Sequence, residues 1–196
     1  DNPKIQQILN CALDLLRDHG DHGLTMRQVA ATAGMSLSNL QYYFSTKNEL
    51  LKEMVDFYFQ KCEDEFDANM DASENDDVRQ RVNKLITIHL VHGETLTEIC
   101  KIFREFWAIA TRNKEINDHL VSYYRRYAER LSEEIGSLSA NSDVVPRVIS
   151  FLIPYFEGYS ITAKSVPLNA GQVADMLTDI TISILEGTLR ENPNSV

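Results

Sequence analysis

Cysteine, proline, glycine and basic charge are all scarce in this chain, and each shortage excludes something. Three cysteines in 196 residues, Cys11, Cys62 and Cys100, stand far apart with no Cys-x-x-Cys pair, so neither a disulfide framework nor a zinc knuckle is expected. Eight glycines and five prolines leave no low-complexity tract. No stretch reaches the roughly 18 consecutive apolar residues of a membrane helix, and Asp1 to Ile5 lack the basic flank and apolar run of a secretory signal. The expectation is a soluble cytoplasmic protein with no membrane partner. Phosphate-loop, Gly-x-Ser-x-Gly and dinucleotide fingerprints are missing as well, so neither enzyme activity nor a cofactor is expected.

Basic residues number 19 against 29 acidic ones, and a net charge of −10 does not suit a protein that coats nucleic acid without selectivity. The distribution is uneven. Residues 1 to 52 balance Lys4, Arg17, Arg27, Lys47 and Lys52 against Asp1, Asp14, Asp18, Asp21 and Glu49, so the whole excess falls in residues 53 to 196. Any surface for DNA would therefore lie at the N-terminal end, since the acidic remainder would repel phosphate.

What the chain has is helical periodicity throughout, with 43% apolar residues to fill a core. The pattern predicts an all-α fold of about nine helices and no strand. Asn2 and Pro3 open the first, whose stripe is Ile5, Ile8, Leu9, Ala12, Leu15 and Leu16, and Gly20 and Gly23 end it. Thr25 with Gln28 and Thr46 with Glu49 have capping-box spacing, and Ser36 can start the helix between them. Three helix starts within 22 residues require a compact unit packed on the first helix, because short helices do not stand alone in water.

The polar run Asp71 to Asp77 reads as a loop before a fifth helix closed by Gly93. A Thr95–Glu98 box then opens a sixth with Leu96, Ile99, Cys100, Phe103, Trp107 and Ala110 in phase. Asn113 precedes a seventh carrying Ile116, Leu120, Tyr123, Tyr127 and Leu131. The eighth begins near Asp143 and should kink at Pro154. Asn169 and Gln172 cap the ninth, which runs to about Gly187.

Between Leu24 and Leu51 the sequence reads LTMRQVAATAGMSLSNLQYYFSTKNELL, a short helix, a turn through Ala33, Gly34 and Met35, and a second short helix. Gly34 suits the positive φ of such a turn, and small Ala30, Ala31 and Ala33 allow a close helix approach. The residues Thr25, Arg27, Ala30, Ala33, Gly34, Ser36, Tyr42, Tyr43, Phe44 and Lys47 together resemble the TetR family of regulators over about residues 3 to 60. Further on, FREFWAIATRNKEINDHLVSYYRRYAERL resembles the ligand domains of betaine-type and pyrimidine-type regulators.

The resemblance implies residues 1–48 as a helix-turn-helix domain for double-stranded DNA and residues 49–196 as a ligand-binding and dimerisation domain. It implies a palindromic operator, a homodimer and a small-molecule effector. Thr25 and Lys47 would grip phosphate, with Tyr42 or Tyr43 on the backbone. Arg27, Ser38, Asn39 and Gln41 would read base edges, near the helix start at Ser36. Leu37 departs from the Lys or Arg of many relatives and suits a thymine methyl; Gln41 replaces a common Tyr. For Arg27 a surface ion pair, and for Tyr42 or Phe44 a core role, stay open.

Phe59, His89, Phe103, Phe106, Trp107, Tyr123, Tyr127, Tyr155 and Tyr159 are candidates for an aromatic ligand pocket, with His89 or Glu98 adding polarity; ordinary core is the competing reading. A cationic ligand would suit such rings through cation–π contact. The His89/His92 and His19/His22 pairs have helical and turn spacing for a metal, but no companion ligands, and no metal is expected. Ile153, Phe156, Ile161, Met176, Ile180 and Ile184 belong to an apolar surplus on the last two helices that would form the dimer interface as a four-helix bundle. The family resemblance implies a repressor in which ligand shifts helix six against the C-terminal end of helix four. A DNA-bound structural or protein-recruiting factor without an inducer, or an activator of the same fold, stays open.

Overall fold

A computed structural model describes residues 2–69, 76–95 and 97–189, excepting the side chains of residues 69 and 91–100. Nine α-helices and no strand occur among the described residues: α1 (Pro3–Gly23), α2 (Met26–Thr32), α3 (Leu37–Tyr43), α4 (Lys47–Asn69), α5 (Val78–Thr95), α6 (Thr97–Ala110), α7 (Lys114–Gly136), α8 (Val145–Thr162) and α9 (Ala170–Leu185). Two 3-10 turns, Ser142–Val144 and Ala163–Ser165, flank α8.

The helix starts follow local chemistry. Asn2 accepts a hydrogen bond from the Lys4 amide with Pro3 at the first position, and Asn169 and Gln172 form the full reciprocal capping box of α9. An unforeseen reciprocal box opens α5: the Gln80 amide donates to Asp77 Oδ1 and the Asp77 amide to Gln80 Oε1, both at 2.8 Å. At α4 the Thr46 hydroxyl accepts from the Glu49 amide, but the Glu49 carboxylate reaches one residue further back, taking the Ser45 amide and hydroxyl, and these bonds lower its pKa.

Several boundaries differ from expectation. Gly20 breaks α1 from within, at φ +64°, and helical residues resume as far as Gly23. Gly93 does not close α5, which continues to Thr95; a glycine inside a helix costs only about 1 kcal/mol, too little to stop it. α8 holds Pro154 inside one continuous helix, as expected of a proline that bends a helix rather than ending it. In α1 the buried stripe includes Leu13, whereas Ile5 and Leu15 are half-buried. The expected Thr95–Glu98 box with Leu96, Ile99 and Cys100, the His92 side chain, and the loop from Asp71 to Asn75 lie outside the described residues.

The chain forms two compact units. One comprises Asp1–Glu65 and Glu98–Tyr123, the other Phe66–Thr97 and Tyr124–Val196. In the first, Ile8, Ala12 and Leu16 of α1, Val29 of α2, Leu40 of α3 and Leu50 and Met54 of α4 are fully buried, and each large aliphatic side chain so placed contributes about 1.5–3 kcal/mol. In the second, α5 packs along α9 and α8, burying Val82, Leu85 and Ile86 with Val148, Leu152, Val173 and Leu177.

Candidate nucleic-acid interface

The turn between α2 and α3 is built as its residues require. Gly34 takes φ +66°, its amide donates to Ala31 O, and the Met35 amide donates to Ala30 O at 2.9 Å. Ala30 and Ala33 are buried where the two helices meet, but Ala31 is exposed and plays no part in that approach. The Ser36 hydroxyl caps α3 by accepting from the Asn39 amide, and Leu40 and Phe44 anchor its inner face.

What remains outside is a polar ridge. Ser38, Asn39 and Gln41 are exposed, Leu37 is half-buried beside them, and Tyr42 is 83% exposed with its ring edge-on to Tyr43 at 5.3 Å. A tyrosine so exposed on a short helix, touching its neighbour only by a ring edge, offers most of its surface to an outside partner. Phe44, in contrast, belongs to the core.

Arg27 stands exposed on the first turn of α2 and is the only charged residue between Leu24 and Thr46. The ridge therefore has little net charge, and its attraction for anions rests on Arg27, hydroxyls, and the unsatisfied amides and dipoles of two helix starts. Thr25 is already committed: its hydroxyl accepts from the Gln28 amide and donates to Gln28 Oε1 at 2.7 Å. This is a cap without the reciprocal half of the expected box, and it leaves the first-turn amides of α2 as the donors next to Thr25.

Lys47 is engaged as well. Its ammonium donates to Asp21 Oδ1 at 2.7 Å and to Asp21 O at 3.0 Å, tying the first turn of α4 to the end of α1. Sequence reasoning missed this pair because 26 positions separate the partners and no local pattern links them. One of the three ammonium donors remains for an outside acceptor.

A second long-range joint was also invisible in sequence. Asn113 Oδ1 accepts from the amides of Glu115 and Ile116 at the start of α7, while Asn113 Nδ2 donates to Asn48 Oδ1 on α4. Asn48 Nδ2 donates in turn to Glu115, which pairs with Lys52, and these contacts lower the Glu115 pKa. The turn between α6 and α7 is thereby latched to the first two turns of α4.

The aromatic candidates divide between the two units. In the first, Phe59 stacks on Tyr123 with ring centres 3.6 Å apart, Phe103 meets Phe59 edge-on, and Tyr58 meets the fully buried Phe106. Trp107 departs from its expected inward phase: it is 37% exposed, because neighbouring Phe106 takes the centre of the α6 face. In the second unit, His89 stacks on Phe156 at 4.5 Å and lies near Phe66 and Tyr127, and Tyr155 stacks on Tyr159. His89 Nδ1 lies 2.8 Å from Leu85 O, an in-helix bond that fixes the ring.

Of the dimer candidates, Ile161 is 60% and Met176 37% exposed, and Ile153 and Ile180 are half-buried. Phe156 and Ile184 turn inward to the core of their own unit. Among the described residues no group of three or more metal-ligating side chains occurs, and no helix is long and apolar enough to cross a membrane.

Comparison with known proteins places this geometry. Residues 8–54 match the family described as bacterial regulatory proteins, tetR family. Over 184 residues, 94% of this chain and 91% of the relative, the sequence is 42% identical to an HTH-type transcriptional regulator encoded in the dhlA 5' region of Xanthobacter autotrophicus. It is 27% identical to the HTH-type transcriptional regulator BetI of Rhizobium meliloti, covering 83% of this chain and 79% of that one. Among solved structures, a transcriptional regulator of Saccharomonospora viridis in complex with choline shares the fold at a TM-score of 0.66 and 19% identity, covering 90% of this chain and 94% of that one.

Proposed function

The chain belongs to the tetR family of bacterial regulatory proteins and is a DNA-binding transcriptional regulator, not an enzyme, and we propose that it is a homodimeric repressor that holds a palindromic operator in the cytoplasm and releases it when a small molecule binds. The observation that carries this reading is the outward ridge of α3, where Ser38, Asn39, Gln41 and Tyr42 stand exposed on a helix fixed by the Ser36 cap and the Gly34 turn. A polar helix face this exposed suits the major groove.

In this reading residues 1–48 recognise DNA and residues 49–196 take the ligand and pair the subunits. Gln41 and Asn39 are placed for adenine, Arg27 for guanine, Ser38 for either, and Leu37 for a thymine methyl. Ser36, Tyr42, Tyr43, the amides beside Thr25 and the remaining Lys47 donor meet the backbone. The apolar groups left outside on α8 and α9, Ile153, Ile161, Met176 and Ile180, pair with their copies and set two reading heads about one turn of DNA apart.

The choline complex of the Saccharomonospora viridis regulator supports a ligand-taking C-terminal domain. Release follows when the ligand favours a head spacing that does not match the operator, a coupling typically of about 1–3 kcal/mol. Besides the shift of α6 against the C-terminal end of α4, the latch from Asn113 and Glu115 to Asn48 and Lys52 would give the turn between α6 and α7 a grip on the first turns of α4.

The test is selection of genomic fragments by the purified protein, followed by titration of metabolites against the recovered palindrome. Arg27→Ala and Gln41→Ala are expected to lose discrimination among fragments while the dimer persists. If both variants bind every recovered fragment as the parent does, the reading residues are wrongly assigned; a well-folded chain that no metabolite releases points to the protein-recruiting alternative.

A further inference from the structure

Glu157 is a carboxylate with no counter-charge among the described residues. It lies on α8 directly after Phe156, partly buried, and among the described residues no basic side chain pairs with it. Burial pushes its carboxyl up to about 7, and the nearby Tyr124 phenol of α7 offsets only part of that penalty. The phenol oxygen of Tyr124 is itself buried.

Rings continue from that point. Tyr124 meets Tyr127 edge-on at 6.4 Å, Tyr127 lies 5.9 Å from His89, and His89 stacks on Phe156. Arg130 of α7 sits over Phe66 and is held by Asp67 and Glu134. A glutamine at position 157 would stay polar beside the Tyr124 phenol without the cost of desolvating a charge, so an ionisable group here is not explained by the packing of α8 on α7. A cation from outside does: it would meet the missing charge at Glu157 and the negative faces of adjacent rings.

We propose that Glu157, with the rings of Tyr124, Tyr127 and His89, forms a binding site for a small organic cation, an amine or a quaternary ammonium, and that this cation is the effector. Only the second half rests on the ligand-release reading above; binding itself does not depend on it.

The experiment is calorimetry on the full chain with choline, tetramethylammonium and a primary alkylamine, each at up to millimolar concentration, beside 3,3-dimethylbutanol, the uncharged isostere of choline. At least one cation is expected to bind, at least about tenfold more tightly than the isostere, and Glu157→Gln is expected to remove that preference while operator affinity is retained. Tyr124→Phe, which keeps the ring and loses the phenol, is expected to weaken the cation by a few-fold only. No binding by any of the cations, or equal binding to parent and Glu157→Gln, overturns the site. If a neutral or anionic metabolite releases the operator with Glu157→Gln unaffected, the site falls and ligand release stands. A cation that binds through Glu157 and leaves operator affinity unchanged upholds the site and removes its role as effector.

Discussion

Replacing Glu157 by glutamine should stabilise the unliganded protein, and by an amount that depends on pH in a defined direction. The carboxyl has an ordinary value of 4.5 and is raised to about 7 in the folded chain, mainly because burial disfavours its charge. A folded acid with a raised pKa holds its proton more tightly than the unfolded chain does. Its contribution therefore favours the fold fully below about pH 4.5, declines as pH climbs, and is gone above about pH 7. At roughly 1.4 kcal/mol per unit, the total is about 3 kcal/mol, of which about 2 kcal/mol is lost between pH 5.5 and 8.

Glutamine does not titrate, so stability of the variant relative to the parent should rise by about 2 kcal/mol across that interval. Urea denaturation at several pH values and one fixed protein concentration measures the difference directly, and groups common to both proteins cancel. Parallel curves, with a gap that stays constant within about 0.5 kcal/mol, would refute the claim that this carboxyl is desolvated in the fold.

Three further outcomes are expected. Thr181 is fully buried with no hydrogen-bond partner for its hydroxyl among the described residues, so Thr181→Val, of nearly the same shape, should raise stability by about 1 kcal/mol in the same denaturation assay. At Gly34 an added Cβ would meet nothing within 4 Å, so Gly34→Ala should cost only the backbone strain of positive φ, about 1–2 kcal/mol, with Gly34→Asn less harmful. Lys47→Ala should flatten the dependence of log operator affinity on log salt by about 0.9 for each subunit, whereas Asp21→Asn, which leaves the ammonium in place, should keep the slope.

The parts of the fold legible in sequence are those whose cause lies within a few residues. Asn2, Ser36 and Asn169 cap helices because a short polar side chain can reach an amide two or three positions on, and Gly34 marks a backbone angle that other residues resist. The α3 ridge follows from the same local logic, since Leu40 and Phe44 fix which side faces in. Phase on α6 was less determined: Phe103, Phe106, Trp107 and Ala110 span too wide an apolar arc for periodicity to choose its centre, and packing chose Phe106. Phe156 and Ile184 likewise look like surplus apolar surface until α5 is seen to cover them from within the same unit. Lys47 with Asp21, Asn48 with Asn113, and Glu157 with Tyr124 have partners 26 to 65 positions away, where no spacing rule operates.

Those distant polar pairs have a property in common that bears on how a regulator of this family switches. Each is small in energy: an ion pair as exposed as Lys52 with Glu115 is screened by solvent and adds little, and a neutral hydrogen bond such as Asn113 to Asn48 contributes about 1 kcal/mol. Adhesion between α4, α6 and α7 comes instead from Tyr58, Phe59, Phe106 and Tyr123, whose buried rings do not depend on the polar latch. The aromatic layer can therefore stay closed while the latch opens or shifts. In the proposed release, losing so few weak bonds would let α4 shift beside α1–α3 without unfolding the aromatic layer beneath it. A latch made of buried charge would be too strong to release, and one made of a single bond too weak to report; three exposed or half-buried partners around Asn113 fall between those limits.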